Sequence, residues 1–496
     1  MSTTAAGARP ALEPVRAGVI LVLLGVAATA ALEPWIGLAL SLVPAGIAAL
    51  LWVLADPRAR LAPGWLASAF IGAWLPPIAT VAGFNIRAHQ LFLGITVAVF
   101  LLRPAVIGQR PPWARQYALP MAALWAVALL WTTFNSPFLA LGLGHVALLG
   151  LNLIHAWLLM LLIGDDTQVL RRCFRLLAWA TIAALGWTVF VLTAAQAGVQ
   201  VVRDLIFIDA VPLVGPTGVR SGEIARFVWG LPLASYFASL TLICAGLLRC
   251  RGWGSRPLFA IAAVAGAVGV VLEPARGPIV AFLGGVLTYG IGLLVQGRLV
   301  RLATTAGGAL ALIGAAYFAV AVIDSPRYPV RDAFMGRFVQ LATVEQYTVG
   351  TASERMHVWR HMLEDIRSRP LAGAGFDAYR TYVSKDDQTS ENFPLEVLHS
   401  TGVIGFGAFA AFQLLAVWRA VRVVLRHRLE TSISHAVLSL LAAHAGLTLA
   451  TATNPAGTGA LYWMLYGLLV AAAEMGLRMR PRGGGNTRAA IQPVSP

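Results

Sequence analysis

The chain has 496 residues, of which 58% are hydrophobic and only 12% charged. Soluble domains carry about 25% charged residues, so this composition excludes an ordinary soluble globular protein and marks an all-α, polytopic integral membrane protein. The formal charge of +15 reads as membrane topology and attraction to anionic lipid, with no nucleic-acid partner implied.

A spanning helix needs ~20 mainly apolar residues. Candidate spans follow at 17–32, 36–55, 65–84, 89–102, 117–133, 138–163, 175–199, 227–248, 256–272, 278–295, 300–323, 395–418, 433–452 and 457–475, which gives roughly 12–14 transmembrane helices. The first follows Arg9 and Arg16 and ends in AATAALEP; it is expected to remain as an uncleaved span. Arginine clusters fall at Arg58/Arg60, Arg103/Arg110/Arg115, Arg171/Arg172/Arg175, Arg249/Arg251/Arg256, Arg298/Arg301 and Arg419/Arg422/Arg426/Arg428, always in alternate connections. By the positive-inside rule those connections and both termini are cytoplasmic.

The other connections then face outward. Most are short, as at Glu33–Trp35 and Asn135–Pro137, but Gln200–Arg226 and 324–391 are long. Structureless loops beyond ~12–15 residues are uncommon unless they are functional or disordered. In the second loop Met356, Trp359, Met362, Leu363 and Ile366 recur at helical spacing, with Thr351 or Ser353 as a start and Pro370 as a stop. That pattern predicts an amphipathic helix on the membrane face or over a cavity. The expected organisation is 1–199 N-terminal helices, 200–323 helices with arginine-bearing outward loops, 324–392 the large loop, 393–480 C-terminal helices and 481–496 a flexible cytoplasmic tail. Cys173, Cys244 and Cys250 lie outside the outward loops and suggest neither a disulfide framework nor a metal cluster.

Ionisable groups near a membrane are costly and mark function. Arg220 and Arg226, in GVRSGEIARFVWG, and Arg276, in LEPARGP, stand on the outward side. A guanidinium presents a permanent charge in a planar fork that matches phosphate oxygens in pairs. Pairing of Arg276 with Glu273 and Arg226 with Glu223, or snorkelling to lipid headgroups, is the plainer reading of each. His145, Asn152, His155 and His444 fall within spans, where interhelical hydrogen bonds worth roughly 1 kcal/mol are the usual role. His357 and His361 are one turn apart, a spacing that suits a metal but lacks further ligands. His399 lies eight residues after Glu391 and would share its helix face if that helix began early enough.

The stretch SERMHVWRHMLEDIRSRPLAGAGF from Ser353, followed by ENFPLEVLHSTGVIG from Glu391, resembles the O-antigen ligase and O-antigen polymerase superfamily. Arg355, Trp359, Pro370, Leu371, Gly373, Gly375, Asn392, Leu395, Glu396, Leu398, Gly402 and Gly405 occupy matching positions. VRSGEIARF and EPARG resemble the family's upstream arginine segments, so the likeness covers roughly 200–420. Two departures stand out: Glu391 replaces the family's histidine before Asn392, and Glu273-Pro274-Ala275 replaces a threonine- and serine-containing run.

The resemblance implies a GT-C-like, all-helical glycosyltransferase of the bacterial inner membrane with its large loop in the periplasm. It implies an undecaprenyl-diphosphate-linked glycan donor, a lipid A core or growing glycan acceptor, surrounding membrane lipids, and no cofactor or metal. The chemistry then assigned is Glu391 as base, with pKa raised by burial, and Arg220 and Arg276 on the diphosphate, whose charge grows as the anomeric bond breaks. Arg226 and Arg355 are secondary cations, Asn392 orients a group or merely caps a helix, Glu396 is a stand-in base, and Trp359 stacks on a sugar or simply packs. A polymerase rather than a ligase, a flippase or other polytopic transporter, and an inactive or scaffolding relative are the competing readings.

Overall fold

The computed structural model describes residues 49–74, 79–81, 84–86, 88–102, 111–196, 214–215, 218–219, 232–250, 252–272, 276–322, 331–332, 334–335, 351–382, 392–429, 431–452 and 459–479. Among them the helices are α1 (Pro57–Trp74), α2 (Ala88–Leu102), α3 (Ala114–Asn135), α4 (Leu139–Ile163), α5 (Thr167–Gln196), α6 (Pro232–Leu247), α7 (Arg256–Leu272), α8 (Arg276–Val295), α9 (Leu299–Ala319), α10 (Thr351–Ser368), α11 (Phe393–His427), α12 (Ser432–Ala450) and α13 (Ala460–Arg478). Two short antiparallel hairpins accompany them, Ala79–Val81 with Phe84–Ile86 and Val214–Gly215 with Gly218–Val219. The protein is an all-α polytopic membrane protein; among the described residues eight helices are long and apolar enough to cross a bilayer.

Twelve of the fourteen spans expected from the sequence map in order onto the helices other than α10; the span at 17–32 lies outside the described residues, as does 36–48 of the span at 36–55. Three boundaries differ. The span at 65–84 ends at Trp74, and the hairpin begins at Ala79; Pro76 and Pro77 lack the N–H groups that a helix would need to continue. The span at 175–199 starts eight residues earlier, so Arg171, Arg172 and Arg175 occupy the first turns of α5 instead of a connection. The helix expected from 395 runs as far as His427, with a break at Gly402.

The centre of the bundle is α12 and α13. In their apolar windows 83% and 94% of residues are buried, against 11% in α9 at the periphery. Water does not drive apolar helices together inside a bilayer; close backbone approach through small residues does. At Gly446 of α12 an added Cβ would meet the Ala281 carbonyl oxygen of α8 at 2.0 Å. Polar ties complete the core: Glu474, 3% exposed, accepts from Tyr117 Oη at 3.0 Å and pairs with Arg419 Nε at 3.4 Å.

Helix direction sorts the charges. Arg478 bonds Asp165 (2.6 Å), Arg426 donates to the Leu477 carbonyl (2.7 Å), and Arg249 reaches Tyr289 and Thr305. These contacts join the ends of α4, α11 and α13 to each other, and the end of α6 to α8 and α9. The described arginine clusters thus gather at one end of the bundle, and α10 with the turn after it lies at the other.

Candidate functional site

The segment after α10 builds the opposite end. Arg369-Pro370 stops α10, and Leu371-Ala372-Gly373-Ala374-Gly375-Phe376 then folds back onto the start of α11. Gly373 (φ +61), Gly375 (φ +82) and Gly402 (φ +64) all take left-handed conformations that an L side chain resists. At Gly402 an added Cβ would lie 2.3 Å from the Leu371 oxygen, and at Gly373 2.5 Å from the Ser400 oxygen. These glycines allow two backbones to touch.

That contact explains the helix break. Breaking α11 at Gly402 frees carbonyls and N–H groups that a bilayer cannot satisfy. The loop satisfies them: Ala374 N donates to His399 O (2.8 Å), Gly375 N to Ser400 O (3.0 Å), and Val403 N to Pro370 O (2.8 Å). The remaining residues 403–427 rise about 37 Å, enough for a spanning helix, so 393–401 forms a separate segment of about two and a half turns beside the loop. Asn392 caps this segment, its Oδ1 accepting from Leu395 N at 3.1 Å, and Phe393 N bonds Thr451 O at 3.0 Å.

The other side of the loop rests on the α3–α4 connection. Asn135 Nδ2 donates to Gly373 O (3.0 Å), Ser136 Oγ to Phe376 O (2.8 Å), and Phe376 N to Thr132 Oγ1 (3.0 Å). The next residue, Asp377, is wholly buried at φ +64, a conformation that aspartate tolerates better than most residues. Its Oδ2 accepts from His145 Nδ1 of α4, and its Oδ1 accepts from Arg380 Nε at 2.7 Å. Burial pushes the Asp377 carboxyl up, but the bonds and charges of His145 and Arg380 outweigh it and hold the group below the usual carboxylate range. Arg380 is shifted up: burial works against it and the Asp377 bond prevails. The Glu396 charge acts on both His145 and Arg380.

A second histidine–carboxylate pair lies on α10. Asp365 Oδ2 accepts from Tyr382 Oη at 2.7 Å and bonds His399 Nε2 at 2.9 Å. Burial, followed by the Asp365 bond and charge, pushes the Tyr382 hydroxyl up. His361 stacks on Tyr382 at 4.9 Å between ring centroids and bonds Glu364 at 2.9 Å. Its ring contacts that of His357 at 4.5 Å, and among the described residues no group of three or more metal-ligating side chains forms.

Of the expected site residues, Arg220, Arg226 and Glu391 lie outside the described residues. Arg276 is the first residue of α8. Arg355 and Trp359 sit half-buried on α10, where Trp359 packs against the Val358, Met362 and Tyr379 cluster. The amphipathic face differs from expectation: Val358 and Met362 face inward, whereas Met356 and Leu363 are 46% and 45% exposed. The inner stripe is set by what the Tyr379–Tyr382 turn covers, which heptad-like spacing cannot reveal. The helix face expected to be shared by Glu391 and His399 lies in part outside the described residues; α11 begins at Phe393, and His399 faces Asp365. His444 bonds Gln413 at 2.8 Å, an interhelical tie of the kind expected.

Asp365, Asp377, Arg380 and Tyr382 carried no signal as site residues. An aspartate with an arginine three residues on is commonplace, and the His145 partner lies 232 positions away. Between α3 and α4 an apolar cavity of about 440 Å³ opens, lined by Met121, Trp125, Ala147, Leu151, Ile154 and Trp157 among others. It begins within a turn of His145.

Residues 261–410 match the family model described as O-antigen ligase. The match runs from α7 through α10 and the glycine turn into α11. No curated protein matches the chain.

Proposed function

We propose that this membrane protein transfers glycan from an undecaprenyl-diphosphate carrier to a hydroxyl acceptor on the periplasmic face; the match of residues 261–410 to the O-antigen ligase family model supports this reading. The observation that carries the reading is where the match falls: it contains the glycine turn and the start of α11, which form one side of the polar end of the bundle, against the α3–α4 connection. The arginine end faces the cytoplasm by the positive-inside rule, which leaves the glycine turn, Asp377 and Glu396 towards the periplasm of an inner-membrane protein with both termini inside.

The chemistry needs fixed cations for a leaving diphosphate and a base for the entering hydroxyl. Arg220 and Arg276 are the proposed diphosphate ligands, with Arg226 and Arg355 as flanking cations and Glu391 as a carboxylate able to carry a proton. Asn392 acts through its cap, and Trp359 through packing beneath any sugar. The apolar cavity between α3 and α4 suits a polyprenyl chain lying alongside the site. A transporter would place its broken helix near the midplane; here the break in α11 comes nine residues from the helix start, against the loop.

Purified protein in proteoliposomes, supplied with a lipid-linked glycan and a core or glycan acceptor, is expected to form the transferred product. Arg276→Ala and Arg220→Ala are each expected to abolish it without loss of protein. A deletion strain separates the two outcomes of the family: core capped by a single repeat unit marks a polymerase, whereas bare core with accumulating lipid-linked polymer marks a ligase. Wild-type protein that transfers nothing to either acceptor sinks the reading.

A further inference from the structure

Among the described residues three histidine–carboxylate pairs stand at the loop end, and their exposure separates them. His399 is wholly buried against a partly exposed Asp365 (0% and 32%), so its ring cannot reach a substrate. His361 and Glu364 are both open (33% and 55%), so the carboxylate on that ring is itself solvated. Of these three, His145 pairs an accessible imidazole with a fully buried carboxylate (39% and 0%).

We propose that His145 is the catalytic base of the transfer reaction and that Asp377 is its positioning residue. This rests on the glycosyl-transfer reading above. Asp377 accepts from Nδ1, which fixes the tautomer and leaves Nε2 as the ring nitrogen able to take a proton. Asp377 is itself held from two sides. Arg380 occupies its second oxygen at 2.7 Å, and the Phe376 amide and carbonyl are tied to Thr132 and Ser136. A buried aspartate at φ +64 is a strained arrangement that persists only when its surroundings over-determine it. The charged groups facing the imidazole are the carboxylates of Asp377 and Glu396 and the guanidinium of Arg380; the two carboxylates favour the imidazolium that forms on proton transfer.

In the step, the acceptor oxygen bonds to the anomeric carbon as the bond from that carbon to the diphosphate oxygen breaks. The electron pair departs with the polyprenyl diphosphate. The acceptor's proton passes to His145 Nε2, whose positive charge is balanced by Asp377, and the imidazolium later releases that proton to water.

The test is kinetic, in the proteoliposome assay. In His145→Asn the side-chain amide N–H can replace Nδ1–H towards Asp377 while no basic nitrogen remains. The expected result is a kcat at least ~10²-fold lower, a KM within about threefold, and unchanged binding of the lipid-linked donor. Asp377→Asn suits the left-handed backbone; the acid limb of its kcat–pH profile is expected to move to lower pH, because the imidazolium has lost its counter-charge. Wild-type kcat in His145→Asn, or an acid limb unmoved in Asp377→Asn, overturns the assignment. Loss of the limb in Glu391→Gln with His145→Asn active assigns the base to Glu391 instead. Failure of the wild-type protein to transfer at all refutes the glycosyl-transfer reading, a result distinct from any of these.

Discussion

Replacing Gly402 by alanine probes the contact on which the whole site rests. Gly402 has φ +64 and ψ −173, a region open essentially to glycine alone, where another residue pays about 1–3 kcal/mol. The new Cβ would lie 2.3 Å from the Leu371 oxygen and 2.6 Å from its carbon. Those are backbone atoms that cannot swing aside, so the residue must leave this conformation and the loop must lift. Lifting removes the three bonds that link 370–375 to 399–403. At ~0.5–1.5 kcal/mol each they are worth roughly 1.5–4.5 kcal/mol. With ~1.4 kcal/mol per tenfold, hydrogen exchange at the Ala374 and Gly375 amides should accelerate by about 10- to 10³-fold in lipid nanodiscs. The α12–α13 core should exchange as before. Gly373→Ala, whose Cβ would meet Ser400 O at 2.5 Å, should act in the same way. Amides at 374 and 375 as protected as in the wild type, in folded Gly402→Ala protein, would show that the loop is not held by this contact.

Three further outcomes follow from the packing and the charges. Gly446→Ala places a Cβ 2.0 Å from the Ala281 oxygen and should lower the melting temperature in detergent by an amount equivalent to ~1–3 kcal/mol, whereas Gly407→Ala, with nothing within 4 Å, should not. Arg419→Met leaves the buried Glu474 carboxylate without its cation and should cost about 3–5 kcal/mol; adding Glu474→Gln should restore much of the loss in the same melting assay. The Asp377 carboxyl is held below its ordinary value, so its stabilising contribution is complete above the unfolded value near ~3.9 and is lost as pH falls through the lower folded value. Melting curves below about pH 4 should therefore decline more steeply for the wild type than for Asp377→Asn, and equal slopes would count against the pairing.

Much of the scaffold was legible along the chain because a bilayer enforces a local rule. Each span must be apolar over ~20 residues and satisfy its own backbone, so composition alone locates α3, α4, α8, α12 and α13 to within a few residues. Arginine clusters at alternate connections likewise follow from a rule that acts one connection at a time. The motif from Ser353 to Gly405 was readable too, since its glycines mark positions where only a missing side chain will serve. What the glycines were for was not readable: Gly373 and Gly402 lie 29 positions apart, and only their contact shows why both are needed. In the sequence His145 reads as an ordinary intramembrane histidine, and Asp377 and Arg380 carry no signal. Their pairing depends on α3, α4 and the glycine turn meeting at one end of the bundle. Exposure then decides which histidine can act, and exposure belongs to the packed molecule, because it depends on neighbours that are distant in the chain.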